Sequence, residues 1–354
     1  ASLQGQMGLD ADRWPSLIDI TGVIATPDAT PVLLPLSQDA TTAERVDLRV
    51  RFDAAEGDAL NATFDLRDLR TTGASVERTR LVLDGTLTRQ RGSAGQFAGT
   101  LGFDAEGLVL EDEALGMAIG PRITGSAVIA YAQDTPITIK AFAVQGVDFG
   151  LGGNLNIDGL ETGFATELDL ALNTQNLARF SALAGQDLGG QSQVSIKGNL
   201  VPLSGQFDLA VDGAADDLSL GIAQVDAALV GRTTLNLTAA RNATGTVLRD
   251  LVLDNPALNL TGEAALRSAG SRASLTAQMR DLSVVLPQYD GPIHVTATAA
   301  QGADGWTLDA RTQGPYRAEL TARGLATGAN ASLVFTADVP DISRFADQIG
   351  GRVQ

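Results

Sequence analysis

The sequence predicts an all-β protein, an elongated antiparallel sheet folded along its length with a few short capping helices. Apolar and polar residues alternate at period two in many short segments, which places one class of side chain on each face of a sheet. Turn residues separate these segments at intervals of about eight to twelve positions, as in antiparallel proteins. The helical segments are too short to cover so many strands.

The alternation is clearest in the segment from Val46 to Phe52, where every second residue is apolar. A strand of this kind has one apolar and one wet face. From the spacing of such segments we expect roughly twenty to thirty short strands. The other clear segments are 60–66, 81–87, 97–103, 168–172, 207–211, 235–237, 258–260, 275–279, 306–308 and 333–335.

Short helices are predicted where a capping residue precedes apolar residues spaced three or four apart. Asp217, Asn176 and Asp341 each open such a segment. The acidic run 111–113 is expected to cap a fourth helix, which carries Leu115 and Ile119. The first three helices have these apolar stripes and glycine stops: Leu218, Ile222, Val225, Leu229 and Gly231; Leu177, Phe180, Leu183, Leu188 and Gly189-Gly190; Ile342, Phe345, Ile349 and Gly350-Gly351.

Residues 1–354 are predicted to form one continuous repetitive body instead of separate globular domains. The 12 Pro and 39 Gly are scattered, and no stretch has the composition of a linker. A glycine followed by an alternating strand recurs at irregular intervals, at Gly125, Gly190, Gly231, Gly291 and Gly351. Repeat-like modules are placed near 112–175, 176–216, 217–280 and 281–340, with a truncated one at 341–354.

Two pairs of segments resemble each other. Residues 177–180, Leu-Ala-Arg-Phe, match residues 342–345, Ile-Ser-Arg-Phe. A second echo aligns Phe142, Val144 and Gly153 with Leu251, Leu253 and Gly262. Repeated units that cannot bury an apolar face alone are stabilised by stacking on their neighbours, which predicts an elongated body.

Charge and composition limit the partners and the compartment. The net charge of −17 argues against nucleic acid, because phosphate binding needs clustered Lys and Arg. The absence of Cys excludes disulfides and thiolate metal sites. No run approaches eighteen apolar residues, and residues 1–10 lack the pattern of a signal peptide. We therefore expect a fragment of a longer envelope protein, with export to the periplasm encoded upstream.

No catalytic group, metal site or cofactor is predicted, so we expect that the protein is not an enzyme. His294 is the only histidine, and it alternates with Ile293 and Val295, which places it on the polar face. A Ser-His-Asp triad would depend on that single ring, and a zinc site would lack ligands.

The apolar strand positions are instead expected to line a groove that holds acyl chains. With few helices to cover it, the inner face of a folded sheet is filled partly by side chains and partly by guests. The residues predicted to line this groove are Leu48, Val50, Phe52, Leu168, Leu170, Leu172, Phe207, Leu209, Val211, Leu235, Leu237, Leu258 and Leu260.

Residues 103–108, 176–190 and 251–263 carry a resemblance to a known family. They read Phe-Asp-Ala-Glu-Gly-Leu, Asn-Leu-Ala-Arg-Phe-Ser-Ala-Leu-Ala-Gly-Gln-Asp-Leu-Gly-Gly and Leu-Val-Leu-Asp-Asn-Pro-Ala-Leu-Asn-Leu-Thr-Gly-Glu. With the order of elements, they resemble the periplasmic repeats of TamB proteins, translocation and assembly module subunits related to the AsmA-like family. The resemblance implies a β-taco body with a hydrophobic groove, an inner-membrane anchor, phospholipid movement toward the outer membrane, and the outer-membrane partner TamA. The anchor helix and the domain expected to meet TamA have no counterpart in this sequence.

Two functions remain open. The first is conduction of phospholipids between the inner and outer membranes, supporting outer-membrane biogenesis and protein assembly. Each methylene is worth about 0.8 kcal/mol, so a two-chain lipid faces roughly 20 kcal/mol or more in crossing water unaided. The alternative is a structural or adhesive β-solenoid of the envelope or cell surface, with a dry core. The two differ in whether the apolar face is open to guests.

Overall fold

The computed structural model describes residues 2–28, 30–34, 41–89, 95–268, 270–328 and 330–344. They form the all-β, antiparallel architecture that the alternation predicts, with only a few short helices between strands. The alternating segments named above all lie in strands. The chain divides into two compact units. The first comprises Ala1–Gln175 with Arg179–Gly185, and the second comprises Asn176–Ala178 with Gln186–Gln354. The single continuous body and its modules stay predictions.

The first unit contains thirteen strands among its described residues. Their bounds are β1 Ser2–Leu9, β2 Pro15–Ala25, β3 Val32–Leu34, β4 Thr41–Ala43, β5 Arg45–Asp53, β6 Ala59–Thr71, β7 Ala74–Thr88, β8 Gln96–Glu106, β9 Val109–Leu110, β10 Arg122–Ala132, β11 Ile137–Gln145, β12 Phe149–Ile157 and β13 Thr166–Thr174. The main sheet runs β1-β2-β5-β6-β7-β8-β10-β11-β12-β13, with every pair antiparallel. The β3–β4 hairpin joins β6 at Thr42 and Arg70, and β9 pairs with β7.

The second unit contains ten strands among its described residues, and each pairs antiparallel with the next in the chain. Consecutive hairpins of this kind are the simplest antiparallel connection. The bounds are β14 Gly189–Val201, β15 Gln206–Ser219, β16 Arg232–Asn242, β17 Gly245–Asp254, β18 Leu258–Arg267, β19 Arg272–Met279, β20 Ile293–Gly302, β21 Gly305–Gln313, β22 Glu319–Thr327 and β23 Asn330–Asp338.

The short helices follow the predicted caps only in part. The Asp112 carboxylate accepts from the Leu115 N–H at 3.0 Å and opens α1, Glu113–Ile119, as the acidic run predicts. The Asn176 side chain accepts from the Ala178 N–H at 3.1 Å, so its capping role is also confirmed. That segment consists of a 3₁₀ turn, Leu177–Phe180, and α2, Ser181–Ala184. The other 3₁₀ turns are Ala54–Glu56, Leu160–Thr162, Leu282–Val284, Pro315–Arg317 and Ile342–Arg344.

Two helix boundaries were predicted wrongly. The segment after Asn176 ends at Gly185, whose left-handed backbone (φ 64°) terminates α2, because Gly189-Gly190 already belong to β14. The helix expected from Asp217 begins only with α3, Ala223–Ala228. Asp217 itself lies in β15, donates its N–H to the Gly231 carbonyl at 3.1 Å, and accepts from the Gly231 N–H at 3.3 Å. The hydrogen bonds between Asp217 and Gly231, which directly precedes β16, therefore take the place of the predicted helix cap.

The third predicted helix is described only at its start. The Asp341 carboxylate accepts from the Ser343 N–H at 3.1 Å and caps the 3₁₀ turn Ile342–Arg344. The predicted Phe345, Ile349 and Gly350-Gly351, and the module at 341–354 beyond residue 344, lie outside the described residues. The predicted cap is therefore confirmed, and the helix itself stays a prediction.

The clearest hydrophobic core lies in the first unit, under the β3–β4 hairpin. Leu34 and Ala43 of the hairpin cover Val46 of β5 and Leu66 of β6, and all four side chains are buried. Among the described residues only twelve hydrophobic residues are buried to this degree. Most of the apolar sheet surface in each unit is therefore partly accessible.

Candidate functional site

The apolar strand positions of the second unit form continuous rows across its sheet. Residues directly opposite each other on antiparallel strands lie on the same face, so the register defines these rows. The central row crosses all ten strands through Val194, Gly213, Leu235, Leu253, Leu260, Ala277, Val295, Thr312, Leu320 and Ala337. A second row contains Gly198, Leu209, Ala239, Leu248, Ala264, Ala273, Ala299, Leu308, Gly324 and Leu333.

The opposite face of the same sheet is polar. The row that alternates with the apolar ones consists of Ser195, Asp212, Asn236, Val252, Thr261, Thr276, Thr296, Arg311, Thr321 and Thr336. The second unit therefore has one polar, solvated face and one apolar face, whose two main rows carry no ionised side chain.

The first unit repeats this division. One apolar row runs through Leu3, Gly22, Leu48, Phe64, Leu81, Phe103, Gly125, Val144, Leu151 and Leu172. Another runs through Met7, Ile18, Phe52, Leu60, Gly85, Gly99, Ile129, Ile139, Leu155 and Leu168. Each unit thus has an apolar face, defined by its own rows.

The predicted groove residues all lie on these apolar faces, six on the first and seven on the second. Two of them are core residues, because Phe52 is fully buried and Leu168 is only 6% exposed. The other eleven are half-buried. This is the burial expected of side chains that line a surface without being packed on every side. Their role in binding lipid stays a prediction.

The register adds residues that the prediction missed. Leu81 and Phe103 belong to the first unit's rows, and Leu253, Leu275 and Leu320 lie on the second unit's face. Leu275 is 39% exposed and Leu320 is 43% exposed, more than any predicted groove residue. The alternation that identified their neighbours was present in 81–87, 97–103 and 275–279, so this signal could have found most of them.

A β-bulge interrupts the apolar face of each unit at an equivalent place. Ala141 in β11 and Asp250 in β17 have left-handed backbones (φ 49° and 52°), and the register shifts beside each. Just after these bulges Phe142 pairs with Gly153, and Leu251 pairs with Gly262. The sequence echo between these residues is therefore a repeated bulge. Bulges bend a strand and increase its twist, so both faces curve at matched points.

Eight charged residues of the first unit lie together on its polar side. A cleft of about 560 Å³ there is lined by four arginines and four carboxylates, with Leu66 and Thr79: Arg45, Arg67, Arg78, Arg80, Asp47, Asp65, Asp104 and Glu106. Arg45 donates two hydrogen bonds to Asp47, at 2.6 and 2.7 Å, and lowers the pKa of that carboxyl. A charge-balanced cleft of this kind is unsuited to acyl chains.

His294 lies on the polar face of the second unit, as predicted, between Gln278 and Gln313. It is half-buried, and its Nδ1 has no hydrogen-bond partner among the described residues. In that part of the chain no group of three or more His, Asp or Glu side chains is arranged to hold a metal ion.

No helix in the described ranges is long and apolar enough to span a membrane. Comparison with known proteins finds no family model, no curated protein and no solved structure that matches this chain. The function must therefore be argued from the two apolar faces themselves.

Proposed function

We propose that the protein holds phospholipid acyl chains on its apolar sheet faces and conducts them between the inner and outer membranes, in support of outer-membrane biogenesis and protein assembly. The observation that carries this proposal is the continuity of the apolar rows. In the second unit they cross ten strands, and their larger side chains are half-buried or exposed instead of packed away.

The energetics favour acyl chains as the guest. Apolar contact is worth about 25 cal/mol for each Å² removed from water, so a chain lying along several adjacent rows recovers most of its hydration penalty. Moving from one row to the next exchanges one set of Leu, Val and Ala contacts for another. The energy along the path then stays nearly level, which permits conduction but supplies no driving force.

The polar faces fit the same arrangement. Headgroups stay in water at the margin of an apolar face, while the charged residues keep the opposite side solvated. The resemblance of residues 103–108, 176–190 and 251–263 to TamB proteins supports a periplasmic location. Anchoring in the inner membrane and contact with TamA would belong to other parts of such a protein.

A packed scaffold is the second candidate, and the corner under the β3–β4 hairpin favours it. There the apolar face is covered by the protein itself, with Leu34, Ala43, Val46 and Leu66 buried. A structural or adhesive β-solenoid would extend such dry packing along the whole face.

Native mass spectrometry with lipid extraction separates these functions. The chain is purified from bacterial cells without detergent, as wild type and as the variants Leu170→Asp and Leu209→Asp, one on each apolar face. Matched controls are Ala171→Asp and Ala210→Asp. Each introduces the same charge at the next residue of the same strand, whose side chain lies on the opposite, polar face. Circular dichroism and thermal unfolding verify that each variant is folded.

We expect phospholipid to co-purify with the wild type and with both controls, to be reduced in Leu170→Asp and in Leu209→Asp, each of which leaves the other unit's face intact, and to be lost when both residues are changed together. A folded, lipid-free wild type would contradict the proposal and support the dry scaffold. Equal lipid loss from a control and its partner variant would also contradict it, since the loss would not depend on the face.

A further inference from the structure

Arg241 lies near the end of β16, on the apolar face of the second unit. Its side chain is exposed. In the apolar-face rows that the register defines across the described strands β14–β23, Arg241 is the only charged residue. The row that contains it consists of Leu200, Phe207, Arg241, Thr246 and Leu266. A cation is therefore placed at the margin of a surface that is otherwise suited to acyl chains.

Arg241 differs from the other arginines of β16 and β17 in its lack of a carboxylate partner. On the polar face, Arg232 is paired with Asp216 at 3.6 Å and Arg249 with Asp208 at 2.6 Å. With the described residues, Arg241 forms neither an ion pair nor a side-chain hydrogen bond. All of its guanidinium N–H donors thus remain available to a bound anion.

The surroundings of Arg241 suit a phosphate group. Thr246 lies directly opposite on β17, where Cβ atoms are about 4.5–5.5 Å apart, so its hydroxyl can donate to the same anion. The two nearest turns, residues 202–205 and 243–244, contain no Asp or Glu. A guanidinium can donate two parallel hydrogen bonds to a phosphate. A phosphate at this margin would meet two donor side chains, and no carboxylate of these turns would repel it.

The opposite end of β16 is closed by the protein itself. Thr233 in β16, and Ala228 and Leu229 at the end of α3, are each 3% exposed. From Arg241 to Leu235 the strand advances six residues, which is about 20 Å. One leaflet of a bilayer has a hydrocarbon depth of about 15 Å, half of the core thickness. The face along β16 is therefore long enough for an acyl chain, with its open end at Arg241.

We propose that Arg241 and Thr246 bind the phosphate of a phospholipid whose acyl chains extend along β16 toward Thr233. The inference rests on the proposed function and adds headgroup recognition to it. The first unit has the uncharged Tyr131 at the equivalent place of β10, because β10 and β16 pair in the same register with the strands that carry the bulges. This anchor is therefore specific to the second unit.

Isothermal titration calorimetry with short-chain probes tests the anchor. The probes are dihexanoyl phosphatidylglycerol, dihexanoylglycerol, which has the same chains without the phosphate, and inorganic phosphate. In the wild type the phospholipid should show one class of site that binds about tenfold more tightly than any site for the diacylglycerol. Arg241→Gln should remove this class and leave the binding of diacylglycerol unchanged.

Arg272→Gln is the matched control, because Arg272 is an exposed arginine on the polar face of β19. This variant should bind both lipids as the wild type does. Because the Arg241 side chain is exposed, Arg241→Gln should fold normally, and circular dichroism verifies this.

A phospholipid with a diazirine at the end of one acyl chain tests the direction of the chains. After irradiation, peptide mapping should place the crosslinks near Leu235, Leu253 and Leu260, which share one row. Crosslinks found mainly near Phe207, beside the proposed phosphate site, would overturn the orientation.

Equal affinity of the wild type for phospholipid and diacylglycerol would overturn the anchor and leave the proposed function intact. Equal weakening by Arg272→Gln and Arg241→Gln would also overturn it, since net charge would then explain the effect. So would inorganic phosphate that binds at Arg241 as tightly as the phospholipid does, because the chains would then contribute nothing. A wild type that binds neither lipid would overturn the proposed function together with the anchor.

Discussion

In the first unit the largest fully buried side chain is Phe52, whereas in the second it is Asn255. The first unit folds its β3–β4 hairpin over the sheet and packs Val46 and Leu66 out of water. The second unit buries an amide instead. Asn255 donates to the Thr233 hydroxyl at 2.9 Å and to the Val230 carbonyl at 3.3 Å, and it accepts from the Ala257 N–H at 2.9 Å.

The difference shows two ways of fixing a sheet of this kind. A corner closed by apolar packing gains stability but has no room for a guest. Hydrogen bonds in the turns at the ends of the strands fix those turns and leave the apolar face half open. Asp226 and Asp281 add to the second arrangement, since each carboxylate accepts from backbone N–H groups in the loops beside α3 and β20.

Truncating a leucine in the core of the first unit, and one on the apolar face of the second, should give the largest change in stability. Leu66→Ala removes a buried side chain and should lower the free energy of unfolding of the first unit by about 2–5 kcal/mol. Leu235→Ala, on the half-open face of the second unit, should cost about half as much. Denaturant titration measures both, followed by Trp14 in the first unit and Trp306 in the second.

Replacing Trp306 or Trp14 by Phe isolates the signal from one unit at a time. If Leu235→Ala proved as costly as Leu66→Ala, the second face would be a closed core in solution, and the contrast between the units would disappear.

The buried amide is the next test. Asn255→Ala leaves the Thr233 hydroxyl, the Val230 carbonyl and the Ala257 N–H without this partner, and we expect a loss of about 1–3 kcal/mol in the second unit. Asn236→Ala, on the exposed polar face of β16, is the matched control and should change stability by less than about 0.5 kcal/mol. Similar losses of stability for the two variants would show that Asn255 does not fix the turn between β17 and β18.

The bulges offer a smaller effect, one in each unit. Ala141 has a left-handed backbone, which disfavours an L-residue by about 1–2 kcal/mol, so Ala141→Gly should stabilise the first unit by about 1 kcal/mol. Asp250→Gly should gain less, because aspartate tolerates this conformation and its carboxylate accepts from the Thr238 hydroxyl at 3.2 Å. Thermal unfolding of both variants measures the two gains in stability. Destabilisation by Ala141→Gly would contradict the backbone strain inferred at Ala141.

Acid should lower the stability of the second unit through Asp281, which lies in the connection between β19 and β20. The Ser283 and Gly291 N–H groups donate to this carboxylate and lower its pKa. Because the pKa is lower in the folded chain, the charge stabilises the fold above the unfolded pKa of about 3.9. That contribution is lost as the pH falls through the folded pKa.

Unfolding of wild type and Asp281→Asn is therefore compared between pH 6 and pH 3. The wild type should be the more stable at pH 6, and the difference should shrink toward pH 3. Asp304→Asn, in the exposed loop between β20 and β21, is the control of equal charge. A difference that stayed constant with pH would contradict the role of the carboxylate.

Much of this molecule follows from local pattern. Alternation in segments such as 46–52 and 207–211 predicts both the strands and the face on which each side chain lies, because that face depends only on the period of two. The caps at Asp112 and Asn176 were also predictable, since a side chain that accepts from an N–H two or three residues later needs no distant partner. The echo between Phe142 and Leu251 was visible in the sequence as a sign of repetition, but only the strand register shows that it follows a bulge in each unit.

Strand pairing decided the rest. Asp217 has the sequence of a helix cap, yet it lies in β15 because its backbone meets Gly231, and local propensity yields to a hydrogen bond with a distant residue. Phe52 and Val50 have the same pattern, but only the tertiary structure buries one fully and leaves the other half-exposed. The sequence by itself determined which side chains share a face, whereas what covers that face depends on segments far away in the chain, which no local period encodes.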